Sequence, residues 1–204
     1  INIVDFCAHH NVKLFFASTA SVYNKPQRFP IAETDTCQPH TIYGAGKYYT
    51  ECLLRSYENM HGLDYVINRF FSVYGPHMDS SGVYTEVIFN WLNNIKNGDH
   101  QIKVFGNPDE KILDLVYVSD VIDAIILSTF TANHDVFNVS TQNGVTLREL
   151  ITAISKVTNT DLTLEVKEEN RTDIENKRVG DTSKLRALGW VDKVNLKEGL
   201  LKTW

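Results

Sequence analysis

Cysteine is scarce in this chain: Cys7, Cys37 and Cys52 are its only three. The number is odd and the spacings fit no metal-ligand pattern, so a disulfide framework is excluded and a reducing, cytoplasmic setting is expected. No apolar run approaches the roughly 20 residues of a membrane span and no signal peptide opens the chain, so no membrane association is expected. Positive charge is in deficit, 20 Lys and Arg against 25 Asp and Glu, for a net charge of −5. Such a chain has little to offer a polyanion, and nucleic acid is not an expected partner. His9 and His10 stand at the end of a helix and the other five histidines form no i, i+4 or short-spaced set, so no metal site is assigned. There is no internal repeat and no low-complexity tract.

What remains is the composition of an ordinary globular protein, 43% hydrophobic and 22% charged. Its 204 residues suffice for one domain with a proper core, or one and a small annex. Ile1, Val4, Cys7 and Ala8 share a helical stripe over residues 1–10, and His9 and His10 complement the dipole at its end. Residues 12–17 read as a strand covered on both faces. Pro26, Pro30 and Pro39 mark residues 24–42 as a surface loop. A helix over 43–60, with Tyr48, Cys52 and Tyr57 as its core stripe, stops at Gly62. A second buried strand follows over 65–71, with Ser72 at its exit.

Beyond it the pattern predicts a helix over 85–96, short strands over 102–105 and 112–118, a helix over 120–129 and a strand over 136–139. Thr146 and Glu149 form a capping-box pattern, and a strand over 162–166 precedes a polar segment that runs to Gly180. Asp120 and Asp181 read as helix caps. Asn195 and Glu198 start a last helix that packs through Leu196, Leu200 and Trp204.

Chemistry gathers between Phe15 and Lys47. An apolar strand delivers Ser18 and Thr19 at its carboxyl end, where ligands collect in open α/β sheets. Tyr43, 24 positions after Thr19, is followed four residues later by Lys47. On a helix that spacing puts phenol and ammonium on one face. A phenol with a reference pKa of about 10 is a poor base near neutrality unless a neighbouring cation stabilises its anion. A hydroxyl from the strand end can share the same substrate oxygen and complete a proton-handling group.

The pairing of Ser18-Thr19-Ala20-Ser21-Val22-Tyr23 with Tyr43-Gly44-Ala45-Gly46-Lys47, and the later Arg69-Phe70-Phe71-Ser72-Val73-Tyr74-Gly75-Pro76, resembles the extended short-chain dehydrogenase/reductase family, in particular its nucleotide-sugar epimerases and dehydratases. The resemblance runs essentially along the whole chain. It implies an α/β fold: a partial doubly wound, Rossmann-like parallel sheet with a smaller C-terminal α/β substrate-binding cap. Residues 1–75 would be the second half of an NAD-binding domain and residues 76–204 mainly the cap, with 112–140 returning to the first sheet. In the family a Gly-rich strand-turn-helix holds the cofactor pyrophosphate. Gly44-Ala45-Gly46 is the nearest candidate and follows a proline loop instead of a strand, so the sequence is read as N-terminally truncated and expected to bind NAD weakly or not at all by itself.

The implied roles are Tyr43 as base, Lys47 as its electrostatic partner and ribose holder, and Thr19 as the hydrogen-bonding hydroxyl. Ala17, Ser18 and Phe70 join Tyr43 and Lys47 on the cofactor side. Ser72, Lys111 and Arg171 are implied on the substrate side, Lys111 standing in where Leu113-Asp114 replaces the family's Arg-Asp. Ala20 and Ser21 occupy the positions where dehydratases carry Asp-Glu, which turns the implied reaction away from dehydration and towards epimerisation through a transient keto-sugar or simple reduction. An NADP-dependent keto-sugar reductase and an inactive homologue serving as a binding or assembly subunit remain open, and a homodimer through the helix after Tyr43 is plausible.

Overall fold

The computed structural model describes residues 1–23, 26, 28–78, 87–169 and 176–204. A parallel sheet in the order β1-β2-β6 forms its first layer, built from β1 (Leu14–Thr19), β2 (Tyr65–Phe70) and β6 (Asp135–Val139). Parallel neighbours need a crossover, and α2 (Ile42–His61) supplies it between β1 and β2. Thr41 caps α2 by accepting the Gly44 N–H, and Gly62 closes it at a left-handed φ of 67°.

Alternation along the strands sends Leu14, Phe16, Tyr65 and Ile67 to one face, where they meet Leu54 of α2 and Val4 and Cys7 of α1 (Asn2–His10). The other face presents Val66, Phe137 and Val139 to Val121 and Ala124 of α4 (Val118–Thr131).

The chain leaves this sheet at Phe71, whose N–H still bonds Val139 O at 3.1 Å, and enters a second sheet as β3 (Ser72–Tyr74). There β5 (Ile112–Tyr117) pairs with β3 and with β9 (Lys177–Arg178) in parallel and with β7 (Gly144–Thr146) antiparallel. A parallel pair, β4 (Gln101–Phe105) and β8 (Thr163–Lys167), completes the strands described. Ile88 and Trp91 of α3 (Val87–Lys96), Leu150 and Ile154 of α5 (Leu147–Thr158) and Leu200 of α7 (Leu196–Thr203) share one core with them.

Several expectations are corrected. Of residues 112–140 only β6 joins the first sheet, because β5 is claimed on both edges by the second. Of the stripe Tyr48, Cys52 and Tyr57, the two tyrosines are part-buried against core clusters, whereas Cys52 is exposed, and Glu51 and Leu54 are the fully buried side chains of α2. The proline loop is not wholly superficial, since Ile31 is fully buried and bridges to Gly180, while Tyr23 bridges to Cys37.

Asp120 is not a cap. It sits buried in the first turn of α4, and its Oδ2 accepts the N–H groups of Lys193 and Val194, tying the C-terminal segment down. The N-cap position of α6 (Ser183–Ala187) is Thr182, yet Asp181 Oδ1 accepts the Ser183 N–H at 2.8 Å. The segment read as polar coil contains β9. Trp204 is 37% exposed and lies under the Lys96 ammonium, so it packs less deeply than Leu200. Thr146 and Glu149 form the capping box as expected.

Candidate active site

The end of β1 and the start of α2 are forced together by a missing side chain. A Cβ on Gly44 would fall inside the radius of the Ser21 carbonyl oxygen, so only glycine lets this turn of α2 rest on the 3-10 turn Ala20–Val22 that follows β1. That contact sets the first turn of α2 against the turn that follows Thr19. Thr19 is buried there, its Oγ1 accepting the Ser21 N–H at 3.1 Å. A hydroxyl that accepts one bond keeps its own proton to donate.

Lys47 reaches back across the same gap. Its Nζ donates to Ala17 O at 2.7 Å and lies 5.8 Å from the centre of the Tyr43 ring and 5.1 Å from that of Phe16. Partial burial lowers the Lys47 ammonium below its ordinary value. It forms no salt bridge among the described residues, so two of its three donors remain available. Tyr43 is 46% exposed. A half-exposed phenol with a partly desolvated ammonium near its ring has the chemistry of a proton-transfer group.

One turn further along α2 the environment reverses. Glu51 is fully buried, and its carboxylate receives Ser18 Oγ at 2.6 Å, Arg69 Nε at 3.0 Å and Arg69 Nη2 at 2.6 Å. Arg55 Nη2 adds a contact at 3.3 Å. Arg69 Nη1 continues to Tyr23 OH at 2.7 Å and Glu33 O at 3.1 Å, and Tyr23 OH donates to Asn138 Oδ1 at 2.8 Å. Burial pushes the Tyr23 phenol far above its usual value. Burial opposes the Arg69 charge, yet the bonds to Glu51 and its negative charge hold the guanidinium above its usual value.

This network was not read from the sequence. The available signal was an acid four residues after Lys47 and an arginine inside an apolar strand, a combination that demands a buried pair.

The remaining candidates are dispersed. Ser18 turns toward α2 and gives its hydroxyl to Glu51, because alternation puts it on the same face as Phe16. Phe70 is half-buried, its ring 6.5 Å from that of Phe15. Ser72 is buried at the start of β3. Lys111 Nζ is held by Glu169 Oε2 at 2.7 Å. Arg171 lies outside the described residues. Tyr74 is buried beneath Gly199, against the Tyr117 ring.

Comparison with known proteins assigns the family. Residues 1–140 match the NAD dependent epimerase/dehydratase family. The chain belongs to that family. The UDP-glucose 4-epimerase of Lactobacillus helveticus is 32% identical over 211 residues, covering 95% of this chain and 64% of that protein. The UDP-glucose 4-epimerase of Thermotoga maritima, solved with UDP-glucose, superposes with a TM-score of 0.91 at 32% identity over 98% of this chain and 65% of its own. The Thermus thermophilus UDP-glucose 4-epimerase in complex with NAD gives 0.88 at 30%, covering 99% and 66%. The family is one of nucleotide-sugar enzymes with a Rossmann fold, and the chain spans about two thirds of the length of these relatives. No helix among the described residues is long and apolar enough to cross a membrane. Among the same residues no cluster of His, Cys, Asp or Glu suits a metal ion.

Proposed function

We propose that this chain carries the proton-handling part of an NAD-dependent nucleotide-sugar epimerase of the UDP-glucose 4-epimerase kind. The observation that supports the reading most is the position of Lys47 Nζ, on the Ala17 carbonyl two residues before Thr19 and 5.8 Å from the centre of the Tyr43 ring. The residues present fit one side of the cofactor. Lys47 keeps donors for a ribose hydroxyl, and Ala17, Ser18 and Phe70 border the same strand ends. For the pyrophosphate they offer less: the helices that directly follow strands, α4 and α5, are entered through Tyr117 and Thr146 and not through a Gly-rich turn.

Bound NAD would supply the hydride acceptor and donor for the sugar carbon. Tyr43 accepts the proton of the sugar hydroxyl as that oxygen becomes a carbonyl, and gives it back in the reverse step. Thr19 donates to the same oxygen and fixes its direction. Lys47 favours the phenolate through its charge. The keto-sugar presents its other face before reduction, which inverts the carbon. Ser72 has a hydroxyl for a sugar or phosphate oxygen, and Lys111 must exchange Glu169 for a diphosphate oxygen to serve there; Arg171 is assigned to the diphosphate by family resemblance. Two copies are proposed to pair through α1 and α2, whose outer faces expose Phe6, Tyr49 and Met60; sedimentation velocity at two concentrations tests this.

The protein as its gene encodes it, incubated with NAD and UDP-galactose, is expected to yield UDP-glucose. Failure to invert C4 of both UDP-galactose and UDP-N-acetylgalactosamine overturns the assignment.

A further inference from the structure

Three contacts join α2 to the end of β1 like rungs. Gly44 rests on the Ser21 carbonyl, Lys47 Nζ holds Ala17 O at 2.7 Å, and Glu51 Oε1 accepts Ser18 Oγ at 2.6 Å. The two polar rungs are one helical turn apart and land on adjacent strand residues, Ala17 and Ser18, immediately before Thr19. Glu51 is anchored in turn by both nitrogens of the Arg69 fork, from the neighbouring strand β2. Such a bidentate pair fixes angle as well as distance.

We propose that Glu51, paired with Arg69, is the positioning residue of the site: it locks the helical turn that carries Lys47 and Tyr43 onto the strand that carries Thr19, and its charge balances a guanidinium that would otherwise act on both. The proposal rests on the epimerase reading for its kinetic arm only. Glu51 itself is fully buried behind Ser18 and presents no surface to a ligand. The charged and titratable groups facing it are Arg69 from β2, Arg55 from its own helix, and Cys37 from the loop that bridges to Tyr23. Only Arg69 and Arg55 carry opposite charge, and Arg55 is partly exposed while Arg69 is not. Arg69 is therefore the counter-ion that matters.

The charge argument has a sign. Without the Glu51 carboxylate, a buried Arg69 cation favours the phenolate and disfavours the Lys47 ammonium. Without Arg69, a buried Glu51 anion does the reverse. At 1.5 Å of rise per residue, Glu51 stands roughly 6 Å from Lys47 and roughly 12 Å from Tyr43 along the helix axis. An unbalanced charge at such distances shifts a titration by on the order of one pH unit.

The test compares Glu51→Gln, Arg69→Met and the double variant, with Ser18→Ala as a milder cut of the same rung. Expected for turnover of UDP-galactose with NAD are a fall in kcat of about tenfold or more with KM little changed, and opposite displacements of the acid limb of the kcat profile. That limb moves to lower pH in Glu51→Gln and to higher pH in Arg69→Met, and returns toward the wild-type position in the double variant. Ser18→Ala, which keeps both charges, lowers kcat without moving the limb. Displacements of the same sign in the two charge variants, or an unmoved limb and kcat in folded Glu51→Gln, overturn the proposal.

A phenolate titration isolates Tyr43 by subtracting the ultraviolet difference spectrum of Tyr43→Phe in each background. It must show the same opposite shifts, and equal midpoints in all backgrounds overturn the proposal even if no epimerase activity is found. Should Arg69→Met not fold, Glu51→Gln and Ser18→Ala decide it by the presence of a shift in the first and its absence in the second.

Discussion

Two successive stretches of α2 have opposite surroundings. Tyr43 is half-exposed and Lys47 partly so, the latter with a single carbonyl partner and no counter-ion among the described residues. Glu51 and Leu54, one and two turns on, have no exposure at all, and the carboxylate of Glu51 is saturated by Ser18 and Arg69. The difference separates two tasks along one rod. The open turn keeps its polar groups within reach of solvent, while the closed turn holds a carboxylate whose loss leaves an unpaired buried charge.

Tyr43→Phe probes the open end. Turnover should drop about 10²- to 10⁴-fold, the range for loss of a general acid-base group. Its urea midpoint should stay with the wild type, and a large stability loss would erase the contrast. Glu51→Ala probes the closed turn and should cost about 3–5 kcal/mol in equilibrium unfolding, because Arg69 is left charged and buried. A loss below about 1 kcal/mol, the scale of a surface pair, would mean that water reaches the network.

Gly44→Ala tests the seam between the two. The added Cβ meets the Ser21 backbone, so a loss of about 1–3 kcal/mol is expected, with reduced turnover because the turn bearing Tyr43 is pushed from Ser21. Wild-type behaviour would show that the seam yields.

The smallest expected effect concerns Asp114, a buried carboxylate away from α2. Burial raises its pKa although Thr141 N and Oγ1, Gln142 N and Gly180 N all donate to it. A raised carboxyl contributes stability that is fully present below its unfolded value of about 3.9 and is lost as pH rises through the folded value. The stability difference between wild type and Asp114→Asn should therefore shift in favour of wild type as pH falls from 7 toward 4. Unfolding curves at several pH values check this, and a shift in the opposite direction would make the four donors outweigh burial.

Much of the fold was legible because local rules and packing agree in it. The strand β1, the helix α2 with its stop at Gly62, and the Thr146 capping box all obey periodicity or capping chemistry within a few residues. Asp120 misled because a carboxylate near a helix start fits a cap equally well, whereas its partners, Lys193 and Val194, are remote in sequence. Cys52 misled because hydrophobicity favoured it over its neighbour Glu51, and only an arginine from β2 makes burying that carboxylate affordable.

From residue order alone came the Tyr43-Lys47 spacing, the strand-end hydroxyl and the alternation of strands with helices, since each follows from repeats of two to four residues along one chain. Tertiary structure alone decided that β5 leaves the first sheet, that Ser18 serves Glu51, and that the turn bearing Tyr43 lies on Ser21. The physical reason is common to all three. Each depends on a partner that competes for the same hydrogen bond or the same space from tens of residues away, and no local period encodes which partner wins.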